Sequence, residues 1–132
     1  MKCLICGKEF EGLGNNPSPF KREVCCNECN DNLVLTMRLV LSGTVDNIIL
    51  VLTPYGDIIA IKVENDEEVS LEGFQNLVDG YVEVYPMKHE HLLFLVDEEG
   101  LIKQKKFNDL AFELFGIDVV GNLVLCPKKH FK

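Results

Sequence analysis

Apolar positions change their spacing partway along the chain. From Asp46 onward they fall into runs of strand length: Ile48 to Leu52 and Ile58 to Val63 flank Pro54-Tyr55-Gly56-Asp57, a hairpin signature. Tyr81 to Tyr85 and Leu92 to Val96 read as two further strands, and Asp97 to Gly100 as a turn into Leu101-Ile102-Lys103. Val119 to Leu125, interrupted by Gly121-Asn122, gives a last strand or a small hairpin. Between these runs, Leu71, Phe74, Leu77 and Val78 recur at helical steps behind Ser70, an N-cap residue, and Asp79-Gly80 stops the helix. A second helix spans about Asn108 to Phe115 and ends at Gly116. Glu64 to Glu68 reads as an acidic turn. The order β-β-α-β-β-α-β predicts an α+β domain over residues 46–132, a sheet layered with helices.

The first 42 residues follow another pattern. Gly12, Gly14, Asn15, Asn16, Pro17 and Pro19 exclude regular structure and mark a long, tight loop. Asn30 to Leu41 then reads as a helix stopped by Ser42-Gly43. At 100° per residue, Leu33, Val34, Met37, Val40 and Leu41 form one broad face, while Leu35 and Leu39 project roughly opposite. That pattern predicts burial on two sides, with Phe10 and Phe20 covering one of them. The connector from Ser42 to Val45 is too short for a free tether, so the N-terminal module is expected to pack rigidly on the α+β domain.

Cysteines give the N-terminal module its chemistry. Five of the six lie within the first 29 residues, and Cys3-x₂-Cys6, nineteen residues, Cys26-x₂-Cys29 is the spacing of a tetrahedral Cys₄ site. Each two-residue gap lets both sulfurs of a pair reach one ion, and four thiolates leave no position open for water. The expectation is one structural zinc ion on Cys3, Cys6, Cys26 and Cys29. A module of about forty residues rarely folds without such a staple, which argues against four free core thiols. An iron–sulfur cluster fits less well, because nothing resembles a redox partner site. Asn27, Glu28, Asn30 and Asp31 suit a helix start, which favours a treble clef over a zinc ribbon. Cys25 could replace Cys26 as a ligand; the x₂ gap to Cys29 favours Cys26 and leaves Cys25 to packing.

Composition narrows the setting. With 47% apolar and 26% charged residues the chain is globular, and no apolar run approaches a membrane span. The N-terminus has one early positive charge but no long apolar stretch, unlike a signal peptide, so a cytoplasmic location is expected. Residues 1–42 carry five basic and five acidic side chains, whereas residues 46–132 carry eight and sixteen, hence the whole formal charge of −8. An acidic surface of this kind repels phosphate backbones and makes nucleic-acid binding by the second part unfavourable.

Other constellations are weak. His89 and His91 could share a sheet face and bind a metal, but a solvated loop pair is the commoner arrangement. Cys126 with His130 is weaker still, and Lys128-Lys129-His130 reads as an ordinary basic end. The carboxylates at Glu64 to Glu68 and Asp97 to Glu99 sit in turns, where charge is normally solvated. No phosphate-binding loop, nucleophile elbow or zinc-protease motif is present, which argues against an enzyme.

The segments Asn76-Leu77-Val78-Asp79-Gly80-Tyr81-Val82-Glu83 and Val96-Asp97-Glu98-Glu99-Gly100, together with Asn108, Ala111 and Gly121-Asn122, carry one resemblance. Over about residues 76–125 the chain resembles a phage- and plasmid-associated family of small domains of unknown function, here preceded by a Cys₄ zinc-finger module. That resemblance implies a mobile-element accessory protein inside a bacterial host and no particular activity. The Asp97–Gly100 turn with Glu83, Tyr81 and Asn108 is a candidate ligand site beside the plainer reading of turn and cap chemistry.

Taken together, the expected function is non-enzymatic: the acidic domain binds a host factor, a protein, and the zinc module braces it. Two alternatives stay open. One is a regulator using Lys8, Lys21, Arg22 and Arg38 on nucleic acid; the other is a protein that sequesters a small ligand or nucleotide. Whether the chain forms a homo-oligomer is also left open.

Overall fold

The computed structural model describes residues 1–64 and 68–131. The acidic turn read at Glu64 to Glu68 therefore lies partly outside the described residues. The chain divides into two compact units, Met1–Thr44 and Val45–Lys132.

In the first unit the chain turns through Cys3 to Cys6, is pinned by a Lys2–Glu9 bridge, and returns through an Asn15–Cys25 bridge. A continuous helical stretch follows: α1 (Asn27–Cys29), a π-helical segment (Asn30–Val34) and α2 (Leu35–Leu41). The sequence pattern predicts a regular helix starting at Asn30, but the structure starts it three residues earlier and inserts a wide π turn. Such a turn rotates every later side chain relative to an ideal 3.6-residue helix. Val34, Met37 and Val40 are buried, whereas Leu35 and Leu39 are 39% and 42% exposed. Arg38 fixes the loop to this helix by donating to the Ser18 and Asn16 carbonyls at 2.6 and 2.7 Å.

The second unit is a five-stranded, wholly antiparallel sheet. Its strands are β1 (Ile48–Leu52), β2 (Ile58–Lys62), β3 (Val82–Val84), β4 (Leu92–Asp97) and β5 (Leu123–Pro127), in the spatial order β2-β1-β5-β4-β3. It is an α+β domain with the element order read from the sequence, although the last strand starts later than Val119, and the turn after β4 continues through Leu101 to Gln104. The β1–β2 hairpin closes where the Thr53 hydroxyl accepts from the Tyr55 and Asp57 amides and Gly56 adopts φ +91°.

Helix α3 (Leu71–Val78) covers one sheet face, where Phe74 and Val78 meet Ile49, Val51, Leu95, Val124 and Cys126. Residues two apart on a strand share a face, so Leu50, Phe94 and Leu125 belong to the other. There Phe94 meets Phe115 of helix α4 (Asp109–Phe115) edge-on, with ring centroids 4.8 Å apart. Ser70 caps α3 by accepting from the Gly73 amide at 3.0 Å, and Asp79 ends it in the left-handed region at φ 58°. Gly80 has a different reason to be glycine: a Cβ there would collide with the Asp97 carboxylate.

The tail differs from the ordinary basic end read in the sequence. Lys128–His130 form a 3₁₀ turn whose His130 is fully buried and donates Nε2–H to the Asp46 carbonyl at 2.9 Å. The His130 carbonyl in turn accepts from Val69, and Phe131 packs 5.3 Å from Phe74. These contacts tie the chain end to the entrances of β1 and α3.

Candidate metal centre and adjoining groove

Both Cys pairs are placed by backbone geometry. Gly7 at φ +79° lets its amide return to the Cys3 carbonyl at 2.9 Å, closing a tight knuckle around the first pair. Within it the Ile5 and Cys6 amides both aim at Cys3 Sγ at 3.4 Å. The second pair straddles a helix start, with Cys26 as the N-cap of α1 and Cys29 as its last residue. A pair that opens a helix is the treble-clef arrangement rather than a ribbon of two hairpins.

The sulfurs of Cys3, Cys6, Cys26 and Cys29 all lie within 4.8 Å of one another and could hold a metal ion. Cys6 and Cys26 Sγ are 3.9 Å apart. Four Zn–S-type bonds of about 2.3 Å at tetrahedral angles give sulfur separations of about 3.8 Å, so the residues fit such an ion. Burial works against ionising Cys3, but N–H donors from Cys6, Cys26 and Ile5 outweigh it and bring the thiol to about 6. Cys29 moves the other way, pushed up by burial and by hydrogen bonds with Cys6, Cys26 and Cys3. Four thiols this close cannot all ionise unless a cation offsets their charge, which is what a metal supplies. Cys25 is outside the group, fully buried, with its backbone paired to Asn15.

Cations named in the sequence as nucleic-acid contacts are partly occupied. Arg22 donates to the Leu4 carbonyl at 3.0 Å and lies 5.7 Å from the Phe20 ring centroid, while Arg38 holds the loop as described.

The two weak metal candidates have structural explanations. His89 Nδ1 accepts from the His91 and Leu92 amides at 3.0 and 3.1 Å, so it caps the entrance of β4. Its pKa is lowered, first by burial and then by His91 and Lys128. Cys126 is sealed in the core under α3, its thiol 3.3 Å from the Pro127 carbonyl and raised to about 12 by burial.

The candidate ligand site around Asp97 splits apart. Asn108 is completely buried and its side chain is consumed internally: Oδ1 caps α4 at the Ala111 amide, and Nδ2 donates to the Leu52 and Gly121 carbonyls, all within 3.0 Å. Asp97 is buried too, bonded to Lys105 at 2.7 Å, Lys103 at 3.0 Å and the Glu99 amide at 2.9 Å. Burial opposes its ionisation, but Lys105, the Glu99 amide and Lys103 prevail, and its pKa falls from 3.8 to about 2. Neither side chain is free to take a ligand. Sequence reasoning missed the two lysines, because Lys103 and Lys105 stand in a turn where charge is ordinarily solvated.

What does open to solvent beside Asp97 is a groove of ≈ 210 Å³. Tyr85, Val96 and Leu101 contribute apolar wall, and Glu83, Glu98 and Asp118 contribute carboxylates, with no basic side chain in the lining. It adjoins β3, an edge strand paired only with β4 among the described residues.

No helix among the described residues is long and apolar enough to cross a membrane. A family model described as a domain of unknown function (DUF3846) matches residues 47–131, and the chain belongs to that family. No curated protein and no solved structure matches the chain.

Proposed function

We propose that this member of the DUF3846 family is a non-enzymatic accessory protein of a phage or other mobile element, acting in the bacterial cytoplasm. One structural zinc ion on Cys3, Cys6, Cys26 and Cys29 holds its N-terminal module, and its acidic domain binds a basic segment of a host protein. Zinc is the ion suited to a closed set of four thiolates with no position left for water or substrate. The observation that carries the binding role is the groove walled by Tyr85, Val96 and Leu101 and edged by Glu83, Glu98 and Asp118 without a cation. A partner with lysines or arginines around one apolar anchor would be steered there, and duplex DNA would be repelled.

Two measurements test this reading. Elemental analysis of the purified chain should find about one zinc per molecule; none, or full retention after Cys29→Ser, would remove the zinc assignment. Proteins captured from bacterial extract should then associate more slowly, by about tenfold, with a Glu83→Gln/Glu98→Gln/Asp118→Asn variant than with the parent. Unchanged association, or tight salt-sensitive binding to duplex DNA by the parent, would overturn the partner assignment.

A further inference from the structure

A second recess, ≈ 350 Å³, lies in the same domain and has the opposite chemistry. Tyr55 from the β1–β2 turn, Asp79 from the end of α3, Gln104 and Lys106 from the turn after β4, and Gly121-Asn122 before β5 contribute to its wall. Its size is that of a small-molecule pocket at the low end of the usual range.

The recess is built at a conformational cost. Asp79 and Gln104, at φ 58° and 57°, are the non-glycine residues with positive φ among those described, and both line it. Such a conformation costs roughly 1 kcal/mol or more in a residue like Gln. The structure holds it in place through Lys105, whose ammonium is mostly buried and bonded to the Asp97 carboxylate and to the Val78 and Asp79 carbonyls. Gly121 completes the support, since a Cβ there would press on the Lys105 stem.

This scaffold leaves two groups next to each other at the opening. The Lys106 ammonium lies 4.9 Å from the centroid of the Tyr55 ring, a ring that is 76% exposed. Lys106 has no carboxylate partner among the described residues. Lys103 and Lys105 already neutralise Asp97, and Asp79 has its carboxylate 3.8 Å from Lys105 with the side chain 88% exposed. The lining thus has two lysines, Lys105 and Lys106, against one carboxylate, Asp79, on a domain that is otherwise strongly acidic. A cation and an aromatic face within one recess match a ligand that joins an anion to a planar ring.

We propose that this recess binds a small phosphorylated aromatic molecule of nucleoside-monophosphate size, with the phosphate on Lys106 and the ring against Tyr55. The Gln104 side-chain carboxamide, which has no hydrogen-bond partner among the described residues, supplies a polar contact at the same wall.

The test is a titration of the isotope-labelled full chain with adenosine 5′-monophosphate, adenosine and inorganic phosphate, followed through backbone amide signals. The monophosphate should bind with Kd below about 1 mM, shifting the amides of Tyr55, Gln104, Lys106 and Gly121, and adenosine and phosphate should each bind at least about tenfold more weakly. Lys106→Gln should weaken the monophosphate about tenfold and Lys106→Arg should restore it; Tyr55→Leu should reduce it to the level of phosphate. Both positions are at the surface, so these variants keep the fold. No shift at about 5 mM monophosphate, equal affinity for phosphate alone, or an unaffected Lys106→Gln variant would each overturn the proposal.

Discussion

The two units differ in what holds them. In Met1–Thr44 the buried apolar side chains besides cysteine are Pro17, Phe20, Val34, Met37 and Val40, and β-type pairing is confined to two isolated bridges. So little buried apolar surface does not by itself offset the conformational entropy of ordering about forty residues, and the four clustered sulfurs could supply the difference by holding a metal. In Val45–Lys132, by contrast, β1, β4 and β5 are buried along almost their whole length, with apolar side chains on both faces. There the polar groups that go inside, Asn108, Asp97 and His130, arrive with partners already in place. One unit is gathered around four cysteines that could hold a metal, the other around a core with satisfied polar locks.

The sharpest way to break that comparison is to remove the metal. A strong chelator should abolish amide exchange protection at Cys3, Leu4 and Cys25, while β1 and β5 keep theirs, because structural zinc contributes about 10–16 kcal/mol to modules of this type. Native-state hydrogen exchange with and without chelator is the measurement. Loss of protection in β5 as well would mean that the sheet is not self-sufficient.

The converse perturbation is Asn108→Ala. It deletes a helix cap and leaves the Leu52 and Gly121 carbonyls without donors in a buried site, so about 3 kcal/mol of domain stability should go. Urea denaturation should register this loss, and zinc content should stay at one per chain.

These two sites also mark how far the sequence could be read. Apolar runs of strand length marked all five strands, and Ser70, Asn108 and Gly116 marked helix ends, because caps and short apolar runs are local signals. The four cysteines were legible for the same reason: their spacing is itself the geometry. Asn108 was recognised as a helix start but not as the bond between β1 and the Gly121 turn, since that link spans 56 residues in one direction and 13 in the other. His130 looked like a charged tail because nothing nearby announces that the Asp46 carbonyl needs a donor. The Lys103–Asp97–Lys105 cluster was hidden likewise, and Gly80 looked like a helix stop when its closest neighbour is a carboxylate from β4. The π turn at Asn30–Val34 has no signature in an apolar pattern scored at 100° per residue.

Acid should sharpen the contrast next. Asp97 titrates at about 2 in the fold against 3.8 ordinarily, so its contribution is fully present above pH about 3.8 and is lost as pH falls toward about 2. Roughly 2 kcal/mol of the sheet domain's stability should disappear across that window. Asp97→Asn should flatten this part of the pH profile while lowering stability at neutral pH, measured by denaturation at fixed pH steps. A profile unchanged by the substitution would show that the lysine pair does not favour the ionised carboxylate.

The smallest expected effect separates two adjacent thiols. Cys25 and Cys26 differ by one position, yet only Cys26 belongs to the four-sulfur group. Cys26 Sγ lies 3.9 Å from Cys6 Sγ at the knuckle, whereas Cys25 sits on the returning segment paired with Asn15. Burial raises the Cys25 thiol, and neighbouring Cys3 and Cys26 add to the rise, so it is disfavoured as a thiolate. Cys25→Ala should therefore keep one zinc per chain and cost the first unit about 1 kcal/mol, the loss of one small buried side chain. Cys26→Ala should lose the metal and, with it, the exchange protection of the whole unit. Elemental analysis of the two variants decides the matter. If Cys25→Ala released the ion and Cys26→Ala retained it, the pair would be Cys25 with Cys29 and the helix start would carry no ligand.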